Sequence, residues 1–564
     1  MWFPKIAGFI LVVFILVSLV RSRPTPGLGH LHLPIHKSES RLRSKLKRRS
    51  FAEIELLHES DVYYSTVLNI GTPGQEVSVV MDTGSADLWV ASSSNPYCLN
   101  SVQLNQTYNG EQIEPSIDCS ALGTFDANSS SSIKKLDIGR FFINYSDGSF
   151  ADGYWASEKI SMGEIDVSEL QFGVADYATA PIGGVLGIGF ARRESVRGYD
   201  NAPGRFYPNF PQVLKQGGVI DVVAYSLYLS EAGGDSGSIL FGAVDPSRYI
   251  GPLYTFPMVN EYPEVVDKPA TLAMTLQGIG AKSDRNCKSK TFSTTKLPVL
   301  LDSGTTFMSA PPEIADEMAS FVGATFSEND GVYIFQCPAD DDDTEFVFDF
   351  GDIKIAVPLR NFLLLPPSNG YCGFGVMPAP YSMTLGSAFL SSAYVVYDLD
   401  NYLISLAQAN HDGSSSQDSF VKVGKQGGIP GATKATAIAW VTDEPIAVDY
   451  DIFASSKSCN GATSQTNPSS SDTSQTLSPV STNSRTAPAN ATLSLQVDAT
   501  PDSSYNLQVV SSRSVIVKSE ESATATGDYA TEEYRSHPPQ YITVTCTVTA
   551  IETIVSRIDC RSND

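Results

Sequence analysis

The sequence predicts an all-β body built around a duplicated strand-and-turn element, followed by a tail with no clear core pattern. The first observation is the run Val79-Val80-Met81-Asp82-Thr83-Gly84-Ser85, answered 220 residues later by Val299-Leu300-Leu301-Asp302-Ser303-Gly304-Thr305. Each copy is an apolar run that reads as a buried strand. A carboxylate then sits on a turn where Gly permits close backbone approach, with hydroxyls on either side. One Asp-hydroxyl-Gly triplet is ordinary turn chemistry. Two of them behind apolar strands in one chain point to a paired site. The second observation is the recurrence of strand patterns closed by turn residues, as in Tyr63 to Gln75, which ends Ile70-Gly71-Thr72-Pro73-Gly74, and in Ala224 to Leu229. The third is a change of character beyond Ala409, after which Ser, Thr, Ala and Pro come to dominate.

At 564 residues the chain exceeds one core and is expected to hold three or more regions. Residues 1–49 carry ten Lys or Arg and one acid, Glu39. That is a net of +9, which leaves −33 on the remainder against a total of −24. A strongly acidic body argues against nucleic acid and anionic lipid as partners and suits work in acid. Lys5 precedes a mostly apolar run, Ile6 to Val20, of 15 residues, which is short for a bilayer span and right for a signal peptide. The small residues of a cleavage site are not clean, and an uncleaved signal anchor is the alternative. Residues 23–49 form a basic segment ending Lys47-Arg48-Arg49, with polarity opposite to the body. It reads as a propeptide, with a basic linker as the alternative.

Further motifs follow in order. Phe141-Phe142-Ile143-Asn144-Tyr145-Ser146-Asp147-Gly148-Ser149 has the aromatic and β-branched lead-in and Asp-Gly tip of a hairpin. Gly183-Gly184-Val185-Leu186-Gly187-Ile188-Gly189-Phe190 is a glycine-rich apolar strand without the spacing or the Lys-Ser/Thr of a nucleotide loop. Ser236 to Asp245 and Tyr249-Ile250-Gly251 come next, then Met383-Thr384-Leu385-Gly386-Ser387-Ala388-Phe389-Leu390 and Tyr394 to Leu406. Pro311 and Pro312 open a helix predicted over Glu313 to Phe321.

Taken together over about residues 60–410, these motifs resemble a pepsin-family aspartic endopeptidase, more narrowly the secreted or cell-surface fungal kind, yapsin- and candidapepsin-like. The resemblance implies a bilobal all-β fold, two similar β-rich lobes with a central cleft, and Asp82 and Asp302 facing each other across it as the catalytic pair. Such a pair holds one proton between its members, an effect for which this family is the standard illustration. The resemblance also implies Ser85 bonded to the outer oxygen of Asp82, with Thr305 matching it at Asp302. It makes Tyr145, Asp147, Gly148 and Ser149 a flap over the substrate, with Gly84, Gly304 and Thr305 beside it and Trp89 beneath. Ser146 stands where the family usually has Gly. Disulfides Cys98–Cys119 and Cys337–Cys372 are implied, as is zymogen processing by a convertase at Arg49. The chemistry requires no cofactor and no metal. Substrates are expected to be extended peptides or proteins. A monomer is expected, because both halves of the site lie in one chain.

The expected organisation is a signal peptide at 1–22, a basic propeptide at 23–49, an N-terminal lobe at 50–245 and a C-terminal lobe at 246–410. A Ser/Thr-rich linker or stalk, read as disordered, spans 411–540, and a short Cys-containing segment spans 541–564. Asn105, Asn128, Asn144 and Asn490 head N-x-Ser/Thr sequons. Asp340 to Asp343 lacks calcium-loop spacing and reads as a solvated loop. Tyr541 to Thr549 alternates as a strand, and Cys546 and Cys560 are a possible pair, which leaves Cys287 and Cys459 without an assigned partner. The sequence ends without the hydrophobic tail of a lipid-anchor signal, so a GPI anchor is not expected and the protein reads as secreted or held at the cell surface or wall. Two rivals remain at this point: a binding-only relative of the fold, and a wall glycoprotein whose stalk is the working part.

Overall fold

The computed structural model describes most of residues 62–454. The longest gaps there are 100–105, 198–205, 413–418 and 441–448, and 146–147 is another. It also describes strands at 31–39 and between 492 and 562. The chain forms two units, Met1–Ala462 and Thr463–Asp564.

Within the first unit one local construction occurs twice. The Gln75–Asp82 strand is apolar and buried toward its end, and it delivers Asp82 to a turn. The glycine-rich strand Gly184–Gly187 runs parallel to it, with Val185 opposite Val80 and Gly187 opposite Asp82. The same strand pairs antiparallel with Leu88–Ala91, so it lies between the strands that enter and leave the turn. In the second half Leu297–Leu301 delivers Asp302, Met383–Leu385 runs parallel to it, and Met308–Ala310 closes the element antiparallel. Interior strands bonded on both sides and buried on both faces read as apolar runs, as Val79-Val80-Met81, Gly184–Gly187 and Leu88–Ala91 do.

A long sheet joins the halves. Ser236–Phe241, Ala224–Leu229, Ala393–Asp398, Leu403–Ala409 and Tyr249–Pro257 are neighbours in that order, so two strands of the first half adjoin three of the second. Its core includes Tyr225, Phe241, Tyr394 and Tyr397, all fully buried. The second half adds sheets of five, four and four strands. The helix spans Pro312–Val322, one residue beyond the expected range at each end, with Glu313 in its first turn and Gly323 at φ +76° ending it. The Leu31–Glu39 strand, inside the basic segment, fills a slot between Val62–Ile70 and Ser236–Phe241.

The body does not end at Ala409. Val421–Lys422 pairs with Ala243–Val244, and Ala432–Lys434 runs parallel to Leu253–Thr255. The backbone N–H groups of Thr436 and Ala437 donate to Asp352 at 2.7 and 2.8 Å. Ile452 and Phe453 are buried against Val347. A linker from 411 is therefore corrected for this stretch. The apolar residues Val423, Ile429, Ile452 and Phe453 are spaced too irregularly to read as an element, yet each finds a place on the lobe surface. Each such burial is worth about 1.5–3 kcal/mol. Ending the chain at 412 should therefore lower the denaturant midpoint markedly, whereas ending it at 455 should not. Equilibrium unfolding of the two truncations checks this.

In the second unit Thr492–Asp498, Tyr541–Ile551 and Ile554–Ser562 form an antiparallel sheet, and Ser504–Ser511 pairs with Ser514–Glu520. The first of these strands and the hairpin fall within the stretch expected to be disordered. Their sequences, such as Thr492-Leu493-Ser494-Leu495-Gln496-Val497, do alternate. The register sets Cys546 opposite Cys560. Cys459 lies outside the described residues.

Candidate active site

The two Asp turns meet head to head. Asp82 is buried and Asp302 partly so. Around Asp82, the Gly84 N–H donates to Oδ1 at 2.7 Å and the Ser85 hydroxyl donates to Oδ2. Around Asp302, the Gly304 N–H donates to Oδ1 at 2.9 Å and the Thr305 hydroxyl to Oδ2 at 2.8 Å. The arrangement is the same in both halves, as the repeated motif requires.

The glycines are dictated by the opposite carboxylate. A Cβ on Gly84 would lie 2.7 Å from both Asp302 oxygens, and one on Gly304 would collide with Asp82 Oδ1. Each turn thus passes its bare backbone against the other half's acid. Burial, then the charge of Asp302, pushes the Asp82 carboxyl well above the ordinary carboxylate range, against the pull of Ser85 and Gly84.

Sequence reasoning missed what holds the turns together. The Thr83 hydroxyl donates to Leu301 O at 2.9 Å and accepts from the Ser303 N–H at 2.9 Å. The Ser303 hydroxyl donates to Met81 O at 2.7 Å and accepts from the Thr83 N–H at 3.1 Å. Four buried hydrogen bonds cross between the halves. The available signal was the hydroxyl directly after each Asp, which has no other use in a buried turn. Thr83→Val strands the Ser303 N–H and leaves the Leu301 carbonyl only the longer bond from the Tyr397 hydroxyl, at 3.4 Å. It should cost about 1–3 kcal/mol and lower activity, checked by denaturant unfolding and initial rates on one preparation.

The expected flap is a hairpin of Lys134–Asn144 and Phe150–Met162, with Asn144 opposite Phe150. The Tyr145 N–H donates to Ser149 O at 2.8 Å, and the Gly148 N–H donates to Tyr145 O at 3.0 Å. Gly148 sits at φ +84°, a conformation that favours glycine. Trp89 is fully buried, and its Nε1–H donates to the Tyr145 hydroxyl at 2.6 Å. That bond ties the hairpin to the strand leaving the Asp82 turn. Ser146 and Asp147 lie outside the described residues.

Behind the Asp82 turn is a second acidic group that the sequence did not reveal. Asp87 is buried and accepts from the Tyr207 hydroxyl and the Ser195 N–H, both at 2.7 Å. Glu194, 3% exposed, accepts from the Tyr207 N–H at 3.0 Å, and its Oε1 has no partner among the described residues. Burial pushes the Glu194 carboxyl up to about 9, and burial also raises Asp87.

The structure joins Cys98 to Cys119 and Cys337 to Cys372. Cys287 is exposed, with its Sγ on Asp284 O. Asn128 and Asn144 are exposed, and Asn105 and Asn490 lie outside the described residues. Among the described residues no helix is long and apolar enough to cross a membrane.

With this geometry in hand, the comparisons define the class. The family model for eukaryotic aspartyl proteases matches residues 63–409, and the chain belongs to that family: it is an aspartic-type endopeptidase of the pepsin kind, with peptides or proteins as substrates. Among its relatives, barrierpepsin of Saccharomyces cerevisiae is 52% identical over 451 residues, covering 79% of this chain and 73% of that one. Yapsin-3, an aspartic proteinase of the same yeast, is 37% identical over 463 residues, covering 79% and 85%. An acid protease of Saccharomycopsis fibuligera is 38% identical over 376 residues, covering 65% and 87%.

Proposed function

We propose that Asp82 and Asp302 are the catalytic pair and that they cleave peptide bonds in acid without a covalent intermediate. The observation that carries this reading is the mutual approach of the two turns, Gly84 against Asp302 and Gly304 against Asp82. Two carboxyls held so close share one proton. The ionised member takes a proton from a water between them, and the protonated member donates to the scissile carbonyl oxygen. Ser85, Thr305 and the two glycine N–H groups fix the carboxyl planes, so no reorganisation is needed as charge moves. Tyr145, Gly148, Ser149 and Asp147 hold an extended substrate through strand-like main-chain bonds, with Trp89 supporting Tyr145.

The protein on this reading is secreted or kept at the cell surface, is glycosylated, and is made as a zymogen. The +9 segment opposes a −33 body, so its attraction weakens as carboxylates protonate. Its Leu31–Glu39 strand occupies a sheet slot that cleavage after Arg49 would vacate. The test is cleavage of a denatured protein by the full secreted chain between pH 3 and 7, with and without pepstatin. Acid-optimal cleavage blocked by pepstatin supports the reading. A folded, Arg49-processed protein that cleaves nothing would sink it.

A further inference from the structure

The loop closed by Cys98–Cys119 contains a small hairpin of its own. Thr107–Tyr108 pairs with Glu111–Gln112 across Asn109 and Gly110, at φ +50° and +88°. Both central residues are left-handed, the turn that Asn-Gly favours most. The loop has a firm base. The Leu99 N–H donates to Ile117 O at 2.8 Å, the Ser116 N–H donates to Tyr97 O at 2.9 Å, and Ile113 and Ile117 are buried.

This hairpin presents Tyr108 to both arms of the flap. The Tyr108 ring stacks on Phe150, the first residue of the returning arm, at 4.7 Å and 22°. Its hydroxyl donates to Asp152 Oδ2 at 2.9 Å on the same arm. Arg140, on the outgoing arm, bonds both oxygens of Asp152 and donates from Nη2 to the Tyr108 hydroxyl at 3.2 Å. Tyr97, beside the disulfide, adds an edge contact to Phe150 at 6.3 Å. A two-stranded hairpin projecting from a sheet is marginal by itself, so an outside support changes how well it holds one position.

We propose that this disulfide-closed loop braces the flap and that Tyr108 is a positioning residue for substrate binding. The proposal rests on the reading of Tyr145 to Ser149 as the substrate-holding flap. Tyr108 acts through Phe150, Asp152 and Arg140 rather than on substrate, so its loss weakens binding more than the proton transfers at the acids.

The test uses the full processed chain, wild type against Tyr108→Ala, Tyr108→Phe and Gly110→Val. The last disrupts the small hairpin at a residue whose side-chain space is open but whose φ suits glycine, and it touches no flap residue. Tyr108→Ala and Gly110→Val should each raise KM for a peptide substrate about tenfold, the worth of a stacked pair and a shared hydrogen bond, with kcat within about twofold. Amide exchange over residues 141–151 should speed up in both. Tyr108→Phe keeps the stack and should fall between them and wild type. Unchanged KM and unchanged exchange would overturn the brace. So would kcat and KM effects that merely track a lower Tm, since that is general destabilisation. Failure of the underlying flap reading would appear separately, as a Tyr145→Ala form whose KM for the same peptide is unchanged.

Discussion

Asp302→Asn and Asp82→Asn should each lower kcat by about three orders of magnitude, within the range for removing a general acid or base, and leave pepstatin-sensitive activity undetectable in an ordinary assay. Asn fills the same space, its one oxygen can keep the Gly N–H, and the neighbouring hydroxyl can turn to accept from the amide nitrogen, so the turns should hold their shape. What is lost is the shared proton. The pH dependence follows from the same pair. Burial and Asp302 raise the Asp82 carboxyl, so the singly protonated pair persists well above the ordinary carboxylate range. Activity should fall as pH rises and that proton leaves, and again in strong acid when both members are protonated. A pH–rate profile of kcat/KM locates both limbs. A substituted enzyme with near wild-type rates would remove the pair from the mechanism, whatever the fold.

How far the sequence could be read depended on whether a residue's job is local. Asp82-Thr83-Gly84-Ser85 and Asp302-Ser303-Gly304-Thr305 are short, and the bonds that orient each carboxyl are made within four residues. The strands behind them read as buried apolar runs, and the two-lobed family fold was legible through the resemblance that the motifs together carry. The crossed bonds of Thr83 and Ser303 were not legible, because a hydroxyl's partner 220 residues away leaves no periodic trace. The Asn109-Gly110 turn was legible in principle, as a strong hairpin signal in a polar loop, but its target Phe150 was not. The strap from Val421 to Phe453 was hidden for another reason: its buried side chains are spaced by the surface they fit, not by a helix or strand repeat.

Glu194→Gln should flatten the dependence of stability on pH. The Glu194 carboxyl is raised in the folded protein from 4.5 to about 9, chiefly because burial disfavours its charged form, and nearby Asp87 acts the same way. A group raised on folding stabilises most below its unfolded value, where it is protonated in both states. That stability is lost as pH climbs toward the folded value, because only the unfolded chain releases the proton. Between those limits the slope from this one group is about −1.4 kcal/mol per pH unit. Tyr207 and Ser195 hold Asp87 five residues beyond Asp82, and the Gly187 N–H donates to Asp87 O at 2.9 Å. Ionising Glu194 therefore places a charge near Asp87, five residues beyond Asp82. Gln retains the acceptor for the Tyr207 N–H, and its amide nitrogen takes the place of Oε1, which has no partner among the described residues. Denaturant unfolding from pH 4 to 8 is best done on Asp82→Asn protein, with and without Glu194→Gln. The background substitution prevents self-digestion and removes the raised carboxyl of Asp82. Curves that converge in acid and separate toward pH 8, with the Gln form the more stable, would place the device at Glu194. Parallel curves would assign any pH dependence of stability to other carboxyls.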